Sequence, residues 1–386
     1  MPMRCVTANP LHLPAEGLWC APSFRLNDSP TTSLLEHGAT SALGALRIGS
    51  LLSGREAARM VKVADGMGFV QPAEDESGDR RNGALSWALH DELCETLSRR
   101  IAPHVPRAIC AHRHEASAEH REELLRLESL RHMLGGGGGG GGRPWVRRCD
   151  GAPEGTYRLA GINARCRLYR YEPDGKDRFA PHYDEVWPGS RLVLAGEGAG
   201  AVPAPPPLLE YDGWTYGQGE DGAWAWEPGD RVSHLSLLLY LTDGFGGGET
   251  VLLPEGGAAA VHVPPVAGDA LCFGQSFSLG RPHVRPSELA LLHEGRPCFP
   301  LHNPRDAPAP DGAGWAGFGK VASPGARARD GRRGDGRRGG GRAKRAARPQ
   351  PSGGQTDPAD GGRPDGGATP KYVLRSDLLY YLPPPG

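Results

Sequence analysis

A mainly β jelly roll with flanking helices is the fold class this sequence predicts, and three observations predict it. From about residue 160 onward β-rich segments follow one another: RCRLYRY alternates, LSLLLYL (235–241) is a continuous apolar run, and ETVLLP, VHVP, DALCFG and KYVLRSDLLYYL come after. Glycines, prolines and acidic residues separate these segments with no long helical pattern between them, which points to antiparallel pairing in a sandwich or barrel. Two helical patterns precede the stretch and suit a jelly roll buttressed on one face.

The elements follow in order. Residues 1–45 carry no sustained periodicity and read as a disordered leader, and 46–134 read as a helical support region. Within it, LLSGREAARMVKVADGMGF opens on Ser53 and Glu56 at capping-box spacing. ALSWALHDELCETLSRRIAPHVP places Leu85, Leu89, Leu93, Leu97 and Ile101 four apart, a helical apolar stripe closed by prolines. EASAEHREELLRLESLRHML reads as another helix. The unbroken glycine run at 135–142 has no G-K-[ST] after it, so it reads as a flexible linker and not a phosphate loop.

The core is expected over 143–301, interrupted by a Gly/Pro/Ala-rich stretch at 190–230 that reads as a long loop. Residues 302–370 form a low-complexity insert whose segment RARDGRRGDGRRGGGRAKRAARPQ sets ten basic residues against two acidic ones. Such a tract buries too little apolar surface to fold. The final core strand and tail occupy 371–386.

Composition excludes several classes. A net charge of −1 over 386 residues gives no global pull toward nucleic acid or anionic membrane. The basic segment 327–348 alone would reach phosphates, and a tolerated insertion accounts for it equally well. No apolar run approaches the ~20 residues needed to span a bilayer. The N-terminus MPMRCVTANPLHLPAEGLWC has prolines and charges where a signal peptide needs an apolar stretch, so a soluble, cytoplasmic or nuclear protein is expected. Eight cysteines without a C-x-x-C pair argue against zinc knuckles and disulfide scaffolds, and for free thiols in a reducing compartment.

Chemistry concentrates in RYEPDGKDRFAPHYDE (170–185), where one tyrosine separates His182 from Asp184. On a strand these two side chains project the same way, because the period is two. The pair is a polar strand end or two legs of a 2-His-1-carboxylate set, which holds iron(II) on one face and leaves positions open. His293 in LLHEGRPCF, after GDALCFG, is the late-strand candidate for the second histidine. Lys371 and Arg375 share one strand face with Val373, and charges among Val and Leu ask for an anion or for solvent. His262, His283 and His302 lack the H-E-G context and read as ordinary polar surface.

Taken in order, INARCRLYRYEPDGKDRFAPHYDE, SLLLYLTDGFGGGETVLL, PPVAGDALCF, HEG and KYVLRSDLLY resemble the iron(II)/2-oxoglutarate dioxygenases of the prolyl 4-hydroxylase-like branch, over residues 50–300 and 371–383. The resemblance implies a double-stranded β-helix oxygenase core with His182, Asp184 and His293 as iron ligands. It makes Lys371 the partner of the cosubstrate's C5 carboxylate, Tyr171 a hydrogen-bond donor to the same molecule, and Ser236 the counterpart of a threonine near that carboxylate. Gly247, Gly248, Glu249 and Thr250 match a structural turn. The cofactor and cosubstrates implied are Fe(II), 2-oxoglutarate and O2, with ascorbate as an accessory reductant. The reaction implied is hydroxylation of an unactivated C–H bond with release of succinate and CO2. A protein or peptide substrate is implied, peptidyl proline first, in a groove to which Trp187, Trp214, Trp224 and Trp226 are candidates.

This sequence departs from the family pattern in three places. Tyr171 stands two residues farther from H-x-D than in the commoner form, and the 190–230 stretch lengthens the span between the two histidines. The long insert separates H-E-G from the lysine, which leaves Lys320 in GFGKV as a rival to Lys371. Loop length itself costs little, about 0.6 kcal/mol per doubling. Two other readings stay open: a catalytically impaired binding module of the same fold, and a nucleic-acid binder acting through the basic insert.

Overall fold

The computed structural model describes residues 3–4, 6–7, 18–20, 25–26, 28–35, 44–69, 80–112, 122, 126, 145–148, 153–193, 208–211, 215–218, 224–227, 231–254, 258–277, 290–301 and 368–383. The glycine run, Trp214, His283, His302, Lys320 and the basic segment lie outside them, as does the third helical pattern apart from 122 and 126, both helical. Residues 1–307 together with 368–386 make one compact unit, to which everything below refers.

The fold is a jelly roll, built of two sheets and buttressed by helices. In the larger sheet Gly83–Ala88, Arg165–Tyr171, Lys371–Tyr381, Arg231–Tyr240, Ala270–Gly274 and Leu46–Gly49 lie side by side, each antiparallel to the next. The strand after the insert is therefore central: it also pairs with Gly155–Ile162 through its last residues, Leu378 to Tyr381. The smaller sheet runs Val261–Val263, Thr250–Leu253, Leu292–Gly295, Arg178–His182, Arg80–Arg81.

Side chains of the larger sheet are buried on both faces. Leu235, Leu237 and Leu239 pack with the helices, while Leu238 and Tyr240 join Leu252, Val261 and Val263 of the smaller sheet. A strand covered on both sides has no polar face, which is why LSLLLYL reads as one apolar run. The last strand alternates in the same way. Tyr372, Leu374, Leu378 and Tyr380 point to the helices, and Val373 points between the sheets.

Helix α1, Gly54–Met67, begins at Ser53, whose hydroxyl accepts from the Glu56 amide while the Glu56 carboxylate accepts from the Ser53 amide. This reciprocal cap satisfies two of the helix's otherwise orphan N–H groups. Ala57, Met60, Ala64 and Met67 form its buried stripe. Helix α2, Asp91–Ile101, buries Leu93, Leu97 and Ile101. Arg100 grips the Glu56 carboxylate with both terminal nitrogens, at 2.9 and 3.0 Å, and ties the two helices together.

The leucine stripe divides where the sequence suggested one helix. Gly83–Ala88 is a fully buried strand, so Leu85 belongs to a sheet and Leu89 to the turn before α2. Its neighbours decide this: Arg165–Tyr171 on one side and Leu18–Cys20 on the other supply ladder partners that outweigh helical spacing. Short strands also occur where no periodicity was legible, at Met3–Arg4, Val6–Thr7, Leu18–Cys20 and Ser33–Leu35. Others lie inside the expected 190–230 loop, at Ser190–Val193, Leu208–Tyr211, Thr215–Gln218 and Trp224–Glu227. All eight are two to four residues long, too short to display a period of their own.

Candidate metal and cosubstrate site

The smaller sheet brings the two histidines together. Arg178–His182 and Leu292–Gly295 are antiparallel with His182 opposite His293, and the imidazole centroids are 4.3 Å apart. Asp184 follows two residues after His182, with its backbone carbonyl accepting from the Ser276 amide at 2.8 Å. One ligand atom from each of His182, Asp184 and His293 lies within 4.8 Å of the others.

The histidine tautomers suit metal binding. His182 Nδ1 lies 2.8 Å from the Ala180 carbonyl, and His293 Nδ1 lies 3.0 Å from the Leu291 carbonyl. A carbonyl can only accept, so each Nδ1 carries a proton, and in the neutral ring this tautomer leaves the lone pair on Nε2. Those lone-pair nitrogens sit 3.5 and 3.8 Å from the Asp184 carboxylate. Phe179 stacks on the His182 ring at 3.7 Å, and Phe273 packs against His293 at 4.5 Å.

Charge is organised around Asp184. Burial works to raise its pKa, but Arg375 and the two histidines outweigh burial and hold the carboxyl well below the usual range. Arg375 Nε lies 3.1 Å from Asp184 Oδ2. Its N–H is not aimed squarely at that oxygen, so the contact is an ion pair and not a linear hydrogen bond. His293 is driven down to about 4 by burial, against the opposing pull of Asp184, and is neutral near pH 7. Two imidazoles and one carboxylate make the donor set that divalent iron takes.

Lys371 completes the constellation. It is 1% exposed, pairs in register with Tyr171, and holds its ammonium 4.5 Å from the Tyr171 ring centroid. Burial lowers its pKa to about 8, with Cys298 and Glu249 acting in the opposite direction. Among the described residues no carboxylate lies within ion-pair distance of it. A buried amine without its own anion fits the distal carboxylate of a dicarboxylic cosubstrate. Burial pushes the Tyr171 phenol up, so at neutral pH it is an O–H donor. Lys371, Tyr171, Thr250 and the triad all line one open cavity.

Two glycines shape this cavity. A Cβ on Gly295, the glycine of H-E-G, would stand 3.0 Å from Tyr171 Oη and 3.5 Å from Phe179 Cβ. Gly248 has φ +73°, and a Cβ there would meet the Phe245 ring at 2.6 Å and the Lys371 stem at 3.3 Å. The glycine turn before Thr250 is thus packed on the lysine it helps to seat.

Other sequence-derived candidates fall elsewhere. Ser236 does not line the cavity with Lys371; its hydroxyl donates to Asp184 Oδ2 at 2.6 Å. Thr250, read from sequence as part of a turn, does line it, with Oγ1 accepting from Tyr240 at 2.9 Å. Arg375, the alternative cation, serves Asp184 and Asp377. Trp187 lies under the Arg165 guanidinium at 3.8 Å and does not line the cavity. The side chains of Trp224 and Trp226 lie outside the described residues. His262 sits on Val261–Val263, apart from the triad. Among the described residues no helix is long and apolar enough to cross a membrane.

No family model matches the chain, and no curated protein matches it. Among solved structures it is similar to a viral collagen prolyl hydroxylase from Paramecium Bursaria Chlorella virus-1, at TM-score 0.29 and 12% identity over 88% of this chain and 96% of that one. A prolyl-4-hydroxylase from Pseudomonas putida gives TM-score 0.27 and 15% identity over 67% and 88%. A 2OG-Fe(II) oxygenase family oxidoreductase from Burkholderia pseudomallei gives 0.30 and 10% over 88% and 86%. At TM-scores this low the fold and the chemistry rest on the sheets and on the site themselves.

Proposed function

We propose that the protein is an iron(II)- and 2-oxoglutarate-dependent dioxygenase that hydroxylates an unactivated C–H bond. The observation that carries this reading is one cavity holding both a His-Asp-His donor set and a buried lysine with no carboxylate at ion-pair distance among the described residues. His182, Asp184 and His293 would hold the metal through the two Nε2 atoms and the carboxylate. When bound, iron(II) supplies oxygen activation coupled to oxidative decarboxylation of 2-oxoglutarate, giving succinate and CO2.

The chain's own residues bind and orient. Lys371 neutralises the distal carboxylate and Tyr171 donates to it, both from a dry wall where a charge-assisted hydrogen bond keeps most of its strength. Phe179 and Phe273 pack on the histidine rings and hold their orientation. A peptide substrate, with proline the first residue to screen, and ascorbate as accessory reductant follow from the sequence resemblance. Lys371 facing the triad favours a working enzyme over a binding module, because the insert leaves the clamp in register beside Tyr171.

The test is uncoupled turnover. Purified protein given Fe(II), ascorbate and 2-oxoglutarate in air should form succinate, and Asp184→Ala should not. Succinate formation equal in the two proteins would sink the assignment.

A further inference from the structure

The Asp184 carboxylate closes a ring of polar side chains that neither the triad nor the cosubstrate explains. Ser236 Oγ donates to Asp184 Oδ2 at 2.6 Å and accepts from Gln275 Nε2 at 3.1 Å. The same Gln275 nitrogen donates to Asp377 Oδ1 at 2.6 Å. Asp377 Oδ1 lies 3.6 Å from Arg375 Nη2, and Arg375 Nε returns to Asp184 Oδ2 at 3.1 Å. Three adjacent strands of the larger sheet assemble the ring, with Ser236 directly opposite Asp377 and Gln275 one residue beyond Ala270–Gly274. Ser236, Gln275 and Asp377 are buried, and Arg375 lines the cavity.

The two carboxylate oxygens are treated differently. Oδ2 takes both the serine hydroxyl and the arginine charge and lies 3.8 Å from His293 Nε2, while Oδ1 faces His182 Nε2 at 3.5 Å and has neither the serine nor the arginine contact. An oxygen engaged by both a hydroxyl and a guanidinium is the weaker metal donor, which leaves Oδ1 the better one. We propose that Ser236, Gln275, Arg375 and Asp377 are positioning residues that present Asp184 to the metal through Oδ1 alone. The inference rests on the metal reading above and adds what fixes its ligand mode. Single-oxygen ligation keeps a coordination position open that a chelating carboxylate would occupy, and the cosubstrate and oxygen need three such positions. It also gives a task to the arginine and aspartate of K-Y-V-L-R-S-D, which the lysine clamp leaves unexplained.

The experiment titrates the full chain with Mn(II) by calorimetry and records the carboxylate stretches that shift on Mn(II) binding by infrared difference spectroscopy. Ser236→Ala and Gln275→Leu are compared with wild type, with Ser236→Thr as the conservative variant. The ring predicts roughly 10- to 100-fold weaker Mn(II) binding in the first two, as supporting residues around a metal ligand typically show. It also predicts a narrower splitting between asymmetric and symmetric stretches, the mark of a captured second oxygen, and near-normal behaviour of Ser236→Thr. If Ser236→Ala does not fold, Gln275→Leu, one step removed from the ligand, decides. Folded variants with wild-type affinity and unchanged splitting would overturn the proposal and leave the ring a purely structural network. Absence of Mn(II) binding by wild type would overturn the metal reading instead.

Discussion

Lys371→Met separates cosubstrate binding from stability, because the two effects have opposite signs. Lys371 is buried, and its pKa falls from 10.5 to about 8. A base lowered on folding binds fewer protons in the folded state, so its burial penalty is absent above pH 10.5 and complete below about 8. A shift of that size corresponds to about 3 kcal/mol against folding at pH 7, at 1.36 kcal/mol per pKa unit. Methionine fills similar space without the charge, so Lys371→Met should be more stable at pH 7 by up to roughly that amount. Its stability should also lack the rise between pH 8 and 10.5 that wild type shows. The cosubstrate moves the other way: losing one buried charge-assisted hydrogen bond costs about 1.5–3 kcal/mol, roughly a 10- to 100-fold weaker 2-oxoglutarate affinity. Denaturant melts across pH and calorimetric titration of the metal-loaded protein read the two effects. A less stable Lys371→Met that binds 2-oxoglutarate as wild type does would refute both halves of this reasoning.

Gly295→Ala should cost about 1–3 kcal/mol, the usual range for overpacking, and weaken cosubstrate binding because the new methyl displaces Tyr171 Oη; chemical denaturation and 2-oxoglutarate titration check this. His293, lowered to about 4 on folding, should make the metal-free protein lose stability as pH falls from 6.5 to about 4, by roughly 3 kcal/mol. Melts of His293→Gln over the same window should lack that slope, and an identical slope would reject the buried neutral histidine. Replacing 308–367 by a short Gly/Ser linker should leave metal and 2-oxoglutarate affinities within about twofold, since loop length has a weak entropic cost. A large loss of either affinity would assign the insert a part in the site.

What could be read in advance depended on how local the signal was. The α1 cap is a four-residue pattern, Ser53 to Glu56, and it appears in the fold as the sequence suggested. Lys371, Val373 and Arg375 share a face because strand geometry dictates it, and all three line the cavity. The leucines from 85 to 101 misled for the opposite reason. A spacing of four is compatible with a strand followed by a helix, and only the distant partner Arg165–Tyr171 distinguishes the two. The Arg375–Asp184 pair joins a strand of the larger sheet to the connection just past Arg178–His182, and nothing local at either one announces the other. Ser236 was aligned by type to a threonine near the cosubstrate, yet its strand register sets it opposite Asp377 and beside Asp184. Thr250 carried a signal in G-G-E-T, but a turn motif does not say which cavity the residue after it will face.

One cavity should bind iron(II) and 2-oxoglutarate together. Anaerobic titration of the purified protein with both, followed by visible absorption, tests it most directly. A weak charge-transfer band from the chelated cosubstrate is expected, abolished in His293→Ala and requiring far more 2-oxoglutarate in Lys371→Met. A folded wild-type protein that shows no band at saturating iron and cosubstrate would contradict it.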